Sequence, residues 1–142
     1  MVEHGPYLLV VEDDRDDVDM FKAALAMIDA HTVIRHINEG NKGLQFLSDC
    51  KEEDLPQVLL LDIQLPDING PEMLGLLQQE KRYNRITKVV WSSSQRLKDM
   101  EDCKHLGADQ YFIKPSTGEE LDTIVHWFAA LFAEKATGSV AR

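Results

Sequence analysis

Apolar residues along the chain fall into five short runs, each followed by a longer segment in which apolar residues recur at helical spacing. The third run, Val58–Leu61, is four consecutive apolar residues without alternation. This pattern is typical of a strand that is covered on both faces of a parallel sheet. We predict five strands from these runs: Tyr7–Val11, Thr32–Ile37, Val58–Leu61, Lys88–Trp91 and Gln110–Ile113.

The segments after the runs predict five amphipathic helices. Acidic residues open the first helix, which favours the positive end of its dipole, while Pro71 and Gly107 mark the start of the third and the end of the fourth. The fourth helix has a thin apolar face of Leu97, Met100 and Leu106. The predicted bounds are Asp14–Ile28, Asn41–Asp49, a helix that begins at Pro71, Arg96–Leu106 and Thr117–Ala136.

Five repeats of a strand followed by a helix predict an α/β fold, with one parallel sheet, right-handed crossovers and helices on both faces. A chain of 142 residues most simply forms one domain. We expect its core over about residues 6–136, followed by a flexible C-terminal tail. In open sheets of this kind ligands bind at the carboxyl ends of the strands, so residues at those ends are the candidates for function.

Composition narrows the classes of partner. The formal net charge of −10 argues against nucleic acid or an anionic membrane surface as the direct partner. The two cysteines have no metal-ligand spacing, which favours a reducing setting. The N-terminus lacks the features of a secretion signal, and no apolar run approaches the length that spans a bilayer. We therefore expect a cytoplasmic protein that binds neither nucleic acid nor a membrane.

The polar side chains that could carry chemistry follow the first, third, fourth and fifth predicted strands. Singly they are ordinary: Asp14 is explained as a helix N-cap, Ser92 as a turn residue and Lys114 as a solvated lysine. As a group they are not explained by folding, because an apolar strand does not need charged residues at its end. The residues that share this position are Glu12, Asp13 and Asp14 after the first strand, Asp62 after the third, Ser92 after the fourth and Lys114 after the fifth.

The grouped acids predict a site for a divalent cation. Clustered carboxylates repel one another, and their pKa values rise, unless a cation lies between them. A site made only of oxygen ligands suits Mg²⁺. We therefore expect Mg²⁺ as the cofactor, bound by Glu12, Asp13 and Asp62 and by the backbone carbonyl of Gln64.

The chemistry that uses these groups is phosphoryl transfer to a carboxylate. Asp62 is the expected nucleophile, and the metal would neutralise the oxygens of the incoming phosphoryl group. The hydroxyl of Ser92 and the ammonium of Lys114 would bind the remaining oxygens as charge-assisted donors. This assignment explains why a buried strand would end on an exposed carboxylate.

Over essentially its whole length, the chain resembles the receiver domain of two-component response regulators. The resemblance rests on four segments that occur in the family's order and at its separations: LLVVEDD, LLLDIQLPDING, VVWSSS and YFIKP. The matching residues are the acidic pair Glu12 and Asp13, the phosphoacceptor Asp62 with Pro66 and Gly70, then Ser92 and Ser93, Lys114 with Pro115, and Tyr111 at the aromatic switch position.

The resemblance implies a flavodoxin-like (CheY-like) fold, a doubly wound five-stranded parallel sheet of order 2-1-3-4-5 with five helices. It implies that a sensor histidine kinase or a phosphotransfer protein phosphorylates Asp62 with Mg²⁺, and that hydrolysis later removes the group. Ser92 and Tyr111 would be the switch that couples the phosphoryl group to the fourth strand, fourth helix and fifth strand, the face that contacts an unknown downstream protein. A cis peptide bond before Pro115 is also implied.

The resemblance further implies a stand-alone receiver without a DNA-binding or enzymatic output domain, similar to the group that works beside phytochrome-type and other hybrid sensor kinases. Such a protein is a phosphoacceptor with self-catalysed phosphotransfer and autodephosphorylation, and not an enzyme. A symmetric homodimer stays open. Two residues depart from the family pattern: Trp91 replaces a small aliphatic residue, so packing near the switch differs, and Ser116 replaces a bulky apolar one.

Two other functions stay open. A Mg²⁺-dependent aspartyl-phosphate hydrolase of the haloacid dehalogenase type has the same nucleophile, metal and lysine. That family places its nucleophile in an Asp-x-Asp pattern after the first strand, where this chain has Glu12, Asp13 and Asp14. A receiver-like domain that has lost phosphorylation would be a binding module only. Turnover of a phosphomonoester would favour the hydrolase, and an unmodified Asp62 with every donor would favour the binding module.

Overall fold

A computed structural model describes residues 5–137, in which five strands alternate with five α-helices. Two short 3-10 helices, Glu52–Asp54 and Lys81–Tyr83, lie in the connections before β3 and β4. Of the predicted flexible tail after residue 136, Thr137 belongs to the last helix and the rest lies outside the described residues. The strands are β1 Tyr7–Val11, β2 Val33–Ile37, β3 Val58–Asp62, β4 Thr87–Ser92 and β5 Gln110–Ile113. The helices are α1 Arg15–Ile28, α2 Gly40–Asp49, α3 Gly70–Gln78, α4 Leu97–His105 and α5 Gly118–Thr137.

All strands are parallel, and their order is β2-β1-β3-β4-β5, which confirms the predicted flavodoxin-like topology. Every residue of β1 and β3 is buried, as the unbroken apolar runs indicate. The register sets Val11 beside Leu61 on the neighbouring strand, and Asp62 beside Trp91. The carboxyl ends of β1, β3 and β4 therefore finish close to one another.

Helices cover both faces of the sheet and divide the core in two. On one face α1 and α5 pack together around Phe21, which makes edge-to-face contacts with Trp91 and Phe128. On the other face α2, α3 and α4 pack against the buried side chains that β1, β3 and β4 direct to that face. No helix among residues 5–137 has both the length and the apolar character needed to cross a membrane.

The predicted element ends are close to those observed. β3 extends to Asp62 and β4 to Ser92, because a polar side chain at a strand end does not stop the backbone from pairing. Asp14 is the N-cap of α1, as predicted, and its Oδ1 accepts from the N–H groups of residues 16 and 17 at 3.0 and 3.2 Å. Gly107 ends α4 with a φ of 101°, a conformation that favours glycine.

The predicted apolar face of α4 is partly wrong. Leu97 is 72% exposed, and the residue that α4 buries is Cys103. Cys103 follows Leu97 by six residues, so their side chains point about 120° apart around the helix axis and cannot both face the sheet. α4 is consequently held to the core by less apolar surface than its sequence indicates.

Candidate functional site

The carboxyl edge of the sheet brings together charged residues that are far apart in the sequence. Lys114, directly after β5, places its Nζ 2.9 Å from Oε1 of Glu12 and 3.3 Å from Oδ2 of Asp62. The aligned register of β1 and β3 explains this, because Glu12 and Asp62 each follow a paired residue by one position. The predicted meeting of these three residues is thus present in the fold.

The acidic cluster fits a divalent cation. Glu12, Asp13 and Asp62 each offer a carboxylate oxygen, and these oxygens lie within 4.8 Å of one another. Glu12 and Asp62 are buried, whereas Asp13 is exposed and opens the cluster to solvent. Hard oxygen ligands with a net negative charge are the donor set that Mg²⁺ prefers.

Asp62 itself is buried, with 4% of its surface exposed, so the prediction of an exposed carboxylate is wrong. Its Oδ1 accepts from the backbone N–H of Gln64 at 2.9 Å. The loop that follows is folded tightly against the strand end, because the N–H of Gly70 donates to the carbonyl of Ile63 at 2.9 Å. A Cβ on Gly70 would meet the Cα of Ile63 at 2.6 Å, so the closure requires glycine.

Lys114 has a third carboxylate partner that the sequence analysis missed. Asp17 in the first turn of α1 lies 2.8 Å from the Lys114 Nζ. Burial alone would lower the pKa of Lys114, but the ion pairs with Asp17, Glu12 and Asp62 outweigh it and raise the pKa. Asp17 could have been found from its position in the first turn of α1, because α1 begins directly after β1, at the same end of the sheet as Glu12. The Lys114–Pro115 bond is trans, so the expected cis bond is wrong; the trans form is favoured at X–Pro bonds by about 0.5–1 kcal/mol.

Glu12 is fully buried and is held by several donors. Its Oε2 accepts from the backbone N–H of Asp14 at 3.0 Å, and its Oε1 accepts from the indole N–H of Trp91 at 2.9 Å. Burial raises the pKa of Glu12 to about 7; Lys114 and the Asp14 N–H oppose the rise, and Asp62 adds to it. The Trp91 contact is a second feature that the sequence analysis missed, since it predicted only altered packing there.

The predicted switch residues, Ser92 and Tyr111, are joined by hydrogen bonds through Ser94. Ser92 is fully buried, and its Oγ accepts from the N–H of Ser94 at 3.0 Å. The carbonyl of Ser94 accepts from the hydroxyl of Tyr111 at 3.0 Å, and its Oγ is hydrogen-bonded to Asp99 in α4. A displacement of Ser92 would therefore act on both β5 and α4 through one residue.

A parallel sheet of order β2-β1-β3-β4-β5 with helices on both faces defines a flavodoxin-like protein, and the acidic cluster at its carboxyl edge fits a divalent cation. The family model for the response regulator receiver domain matches residues 8–126. The chain therefore belongs to the response regulator receiver domain family of two-component signalling, in which phosphorylation and Mg²⁺ are typical.

The chain is also similar to individual response regulators. The nitrate/nitrite response regulator NarL of Escherichia coli K12 is 30% identical over 109 residues, which cover 77% of this chain and 48% of NarL. This chain thus spans about half the length of NarL. The crystal structure of the phosphorylated cyanobacterial phytochrome response regulator RcpA matches at a TM-score of 0.77 and 25% identity, over 87% of this chain and 90% of RcpA. The Mn²⁺-bound form of response regulator Rcp1 matches in fold at a TM-score of 0.79 and 24% identity, over 90% of this chain and 94% of Rcp1.

Proposed function

We propose that this chain accepts a phosphoryl group on Asp62 from a sensor histidine kinase or a phosphotransfer protein. The observation that supports this most directly is the Lys114 ammonium, 3.3 Å from the Asp62 carboxylate at the open edge of the sheet. An ammonium beside a nucleophilic carboxylate stabilises the negative charge that a phosphoryl group brings. Membership of the receiver family supports the same role.

In the proposed step, a carboxylate oxygen of Asp62 attacks the phosphorus of a phosphohistidine. The P–O bond forms, the P–N bond breaks, and the leaving imidazole nitrogen keeps the electron pair. Lys114 and the hydroxyl of Ser92 donate to the phosphoryl oxygens. The N–H of Gln64, which donates to Asp62 Oδ1 at 2.9 Å, keeps the carboxylate oriented during the attack.

The acidic cluster would hold Mg²⁺ through Glu12, Asp13 and Asp62 together with the backbone carbonyl of Gln64. When bound, the metal supplies positive charge against the phosphoryl oxygens. The chain's own contribution is the fixed position of its carboxylates: Glu12 is buried and held by three donors, while Asp13 reaches solvent.

The signal would leave the site through the face formed by β4, α4 and β5, which would contact a downstream protein. A phosphoryl group that recruits the Ser92 hydroxyl would alter the hydrogen bond between the Ser92 Oγ and the Ser94 N–H. The carbonyl of Ser94 also accepts from the Tyr111 hydroxyl at 3.0 Å. The Tyr111 ring could then turn inward. α4, which buries only Cys103 among its described residues, is suited to shift.

In this proposal the chain is a phosphoacceptor and not an enzyme in the ordinary sense, because it carries out only its own phosphotransfer and autodephosphorylation.

We propose a single receiver domain over residues 1–142 in the cytoplasm, with protein partners and no nucleic acid or membrane as direct partner. The net charge of −10 supports this choice of partner. Sedimentation at several protein concentrations would decide whether the chain forms a homodimer.

The decisive experiment is phosphotransfer to the wild-type chain and to Asp62→Asn, from candidate kinases and from acetyl phosphate with Mg²⁺. We expect one acyl phosphate per wild-type chain, its loss on chelation of the metal, and no label on Asp62→Asn. Asp67→Asn, an exposed acid in the same loop, is the matched control and should label as the wild type does.

Three outcomes would contradict the proposal. An equally labelled Asp62→Asn chain would exclude Asp62 as the acceptor. A wild-type chain that no donor modifies would indicate a binding module that has lost phosphorylation. Repeated turnover of an added phosphomonoester would indicate the aspartyl-phosphate hydrolase.

A further inference from the structure

Trp91 places a polar hydrogen beside the acidic cluster. It lies on β4 directly beside Asp62 of β3, and its side chain is fully buried. Its indole Nε1–H donates to Oε1 of Glu12 at 2.9 Å. The ring meets Phe21 edge-on, with 5.6 Å between the ring centres and 75° between their planes. The packing of the ring thus fixes the direction in which the N–H points.

The Glu12 carboxylate accepts from three donors. Oε2 accepts from the Asp14 N–H at 3.0 Å, and Oε1 is shared by Trp91 and the Lys114 ammonium at 2.9 Å each. Lys114 also lies 2.8 Å from Asp17 and 3.3 Å from Asp62. One ammonium therefore serves three carboxylates, and in the proposed phosphorylated state it would serve the phosphoryl group as well.

We propose that the Trp91 indole N–H is a positioning group that holds the Glu12 carboxylate in the orientation required to bind a divalent cation. The inference rests on the proposed function, because it takes Glu12 as a metal ligand. An indole N–H cannot ionise or coordinate a metal, so Trp91 acts only through Glu12. The Lys114 ammonium also contacts Asp17 and Asp62, whereas the Trp91 N–H donates to Glu12.

This role differs from simple packing of a large ring. An aliphatic residue or phenylalanine would fill space between β4 and α1, but it would leave Oε1 with only the shared ammonium. Partners that orient a metal ligand by hydrogen bonding typically change metal affinity by about 10–100-fold when they are removed. A residue that only packs would alter stability and leave the affinity of the folded protein unchanged.

The first test removes the N–H and keeps the shape. The background is the full chain with Trp127→Phe, which leaves Trp91 as the single tryptophan of the two in the sequence. In that background Trp91 is replaced by 3-benzothienylalanine, which has sulfur in place of the N–H. Binding of Mn²⁺ is measured from the paramagnetic resonance signal of the free ion, with Mg²⁺ as a competitor. We expect about tenfold weaker binding than in the Trp127→Phe chain, which itself should match the wild type.

The second test reads the indole directly. A comparison of ¹H–¹⁵N spectra of the wild type and of Trp127→Phe identifies the Trp91 indole resonance as the one that both chains show. Titration with Mg²⁺ should shift that resonance and leave the Trp127 resonance in place, because the Trp91 N–H is hydrogen-bonded to the carboxylate that takes up the cation.

Equal Mn²⁺ affinity of the benzothienyl and tryptophan chains would overturn the inference, and an unmoved Trp91 resonance would do the same. If either result is found and the wild type is still phosphorylated on Asp62, only the role of Trp91 fails and the proposed function stands. If the wild type binds no divalent cation, both fail together. Trp91→Phe is a second, genetically encoded variant. Thermal unfolding shows whether it is folded, and its Mn²⁺ affinity should fall as in the benzothienyl chain.

Discussion

At the scale of single residues, the acids in the loop after β3 have separate tasks. Asp62 faces Lys114, whereas Asp67, five residues later, turns to the start of α2. Its two oxygens accept from the N–H groups of Gly40 and Asn41 at 3.0 and 2.8 Å. Glu39, at the N-cap position of α2, makes no side-chain capping bond, so Asp67 supplies the cap from another part of the chain.

Asp67→Ala should destabilise the protein by about 1 kcal/mol at neutral pH, the usual effect of a lost helix cap. The Asn41 N–H and, to a lesser extent, the Gly40 N–H hold the pKa of Asp67 below its ordinary value. The charged form is thus favoured in the folded state, so its contribution is present above the unfolded pKa of about 3.9 and is lost as pH falls through the folded pKa.

Denaturant unfolding at a series of pH values checks this prediction. The difference between wild type and Asp67→Ala should be constant near neutrality and shrink below about pH 4. Asp67→Asn, which keeps one acceptor oxygen without the charge, should lie between them near neutrality. A difference that does not change with pH would show that the Asp67 charge does not contribute.

At the scale of elements, the connection from β3 to α3 is the most constrained near the site. Gly70→Ala should destabilise the fold by about 1–3 kcal/mol, because the new Cβ would lie 2.6 Å from the Ile63 backbone. Since Ile63 directly follows Asp62, phosphorylation should also slow.

Gly75→Ala is the matched control in the same helix, because its Cβ meets only a Leu106 methyl at 3.7 Å. It should stabilise the protein by up to about 1 kcal/mol through helix propensity. Thermal unfolding and acetyl phosphate labelling of both variants provide the measurement. Equal stability of the two variants would mean that the β3–α3 loop relaxes freely.

α4 and α5 are attached to the sheet to different degrees. α4 buries Cys103, whereas α5 buries Ile124, Val125, Phe128 and Phe132. We expect the amide hydrogens of α4 to exchange with solvent much faster than those of α5 under native conditions, because local opening of α4 exposes little apolar surface. Native-state hydrogen exchange by NMR checks this. Equal protection in both helices would remove the argument that α4 is suited to shift.

At the scale of the whole molecule, a divalent cation bound at the acidic cluster, as proposed, would make the stability of the fold depend on the concentration of that cation. A ligand that binds only the folded state at one hundred times its Kd adds about 2.7 kcal/mol. We expect Mg²⁺ to raise the Tm of the wild type by several degrees. Asp13→Asn should lose most of this shift while the metal-free Tm changes little, because Asp13 is exposed.

Asp19→Asn, an exposed acid of α1 outside the cluster, is the control and should keep the full shift. Calorimetric scans with and without Mg²⁺ provide the measurement. A full shift that persists in Asp13→Asn would exclude Asp13 as a ligand.

The strands and the helix ends were predictable because their causes are local, whereas the strand order was expected from the resemblance to the receiver family. Apolar runs identified all five strands to within one residue at each end, and Asp14 and Gly107 were found from their capping chemistry. The errors have local explanations too. Leu97 was assigned to the buried face of α4 from composition, but the helix turns Cys103 to the core.

The sequence by itself determined which side chains stand at the strand ends, because in a parallel sheet those residues must share one edge. It therefore contained Glu12, Asp62 and Lys114 as one cluster. Only the tertiary structure decided that Asp17 completes the environment of Lys114 and that Trp91 donates to Glu12. These contacts depend on strand register, on the placement of α1 and on the rotamer of a packed ring, none of which is encoded in local periodicity.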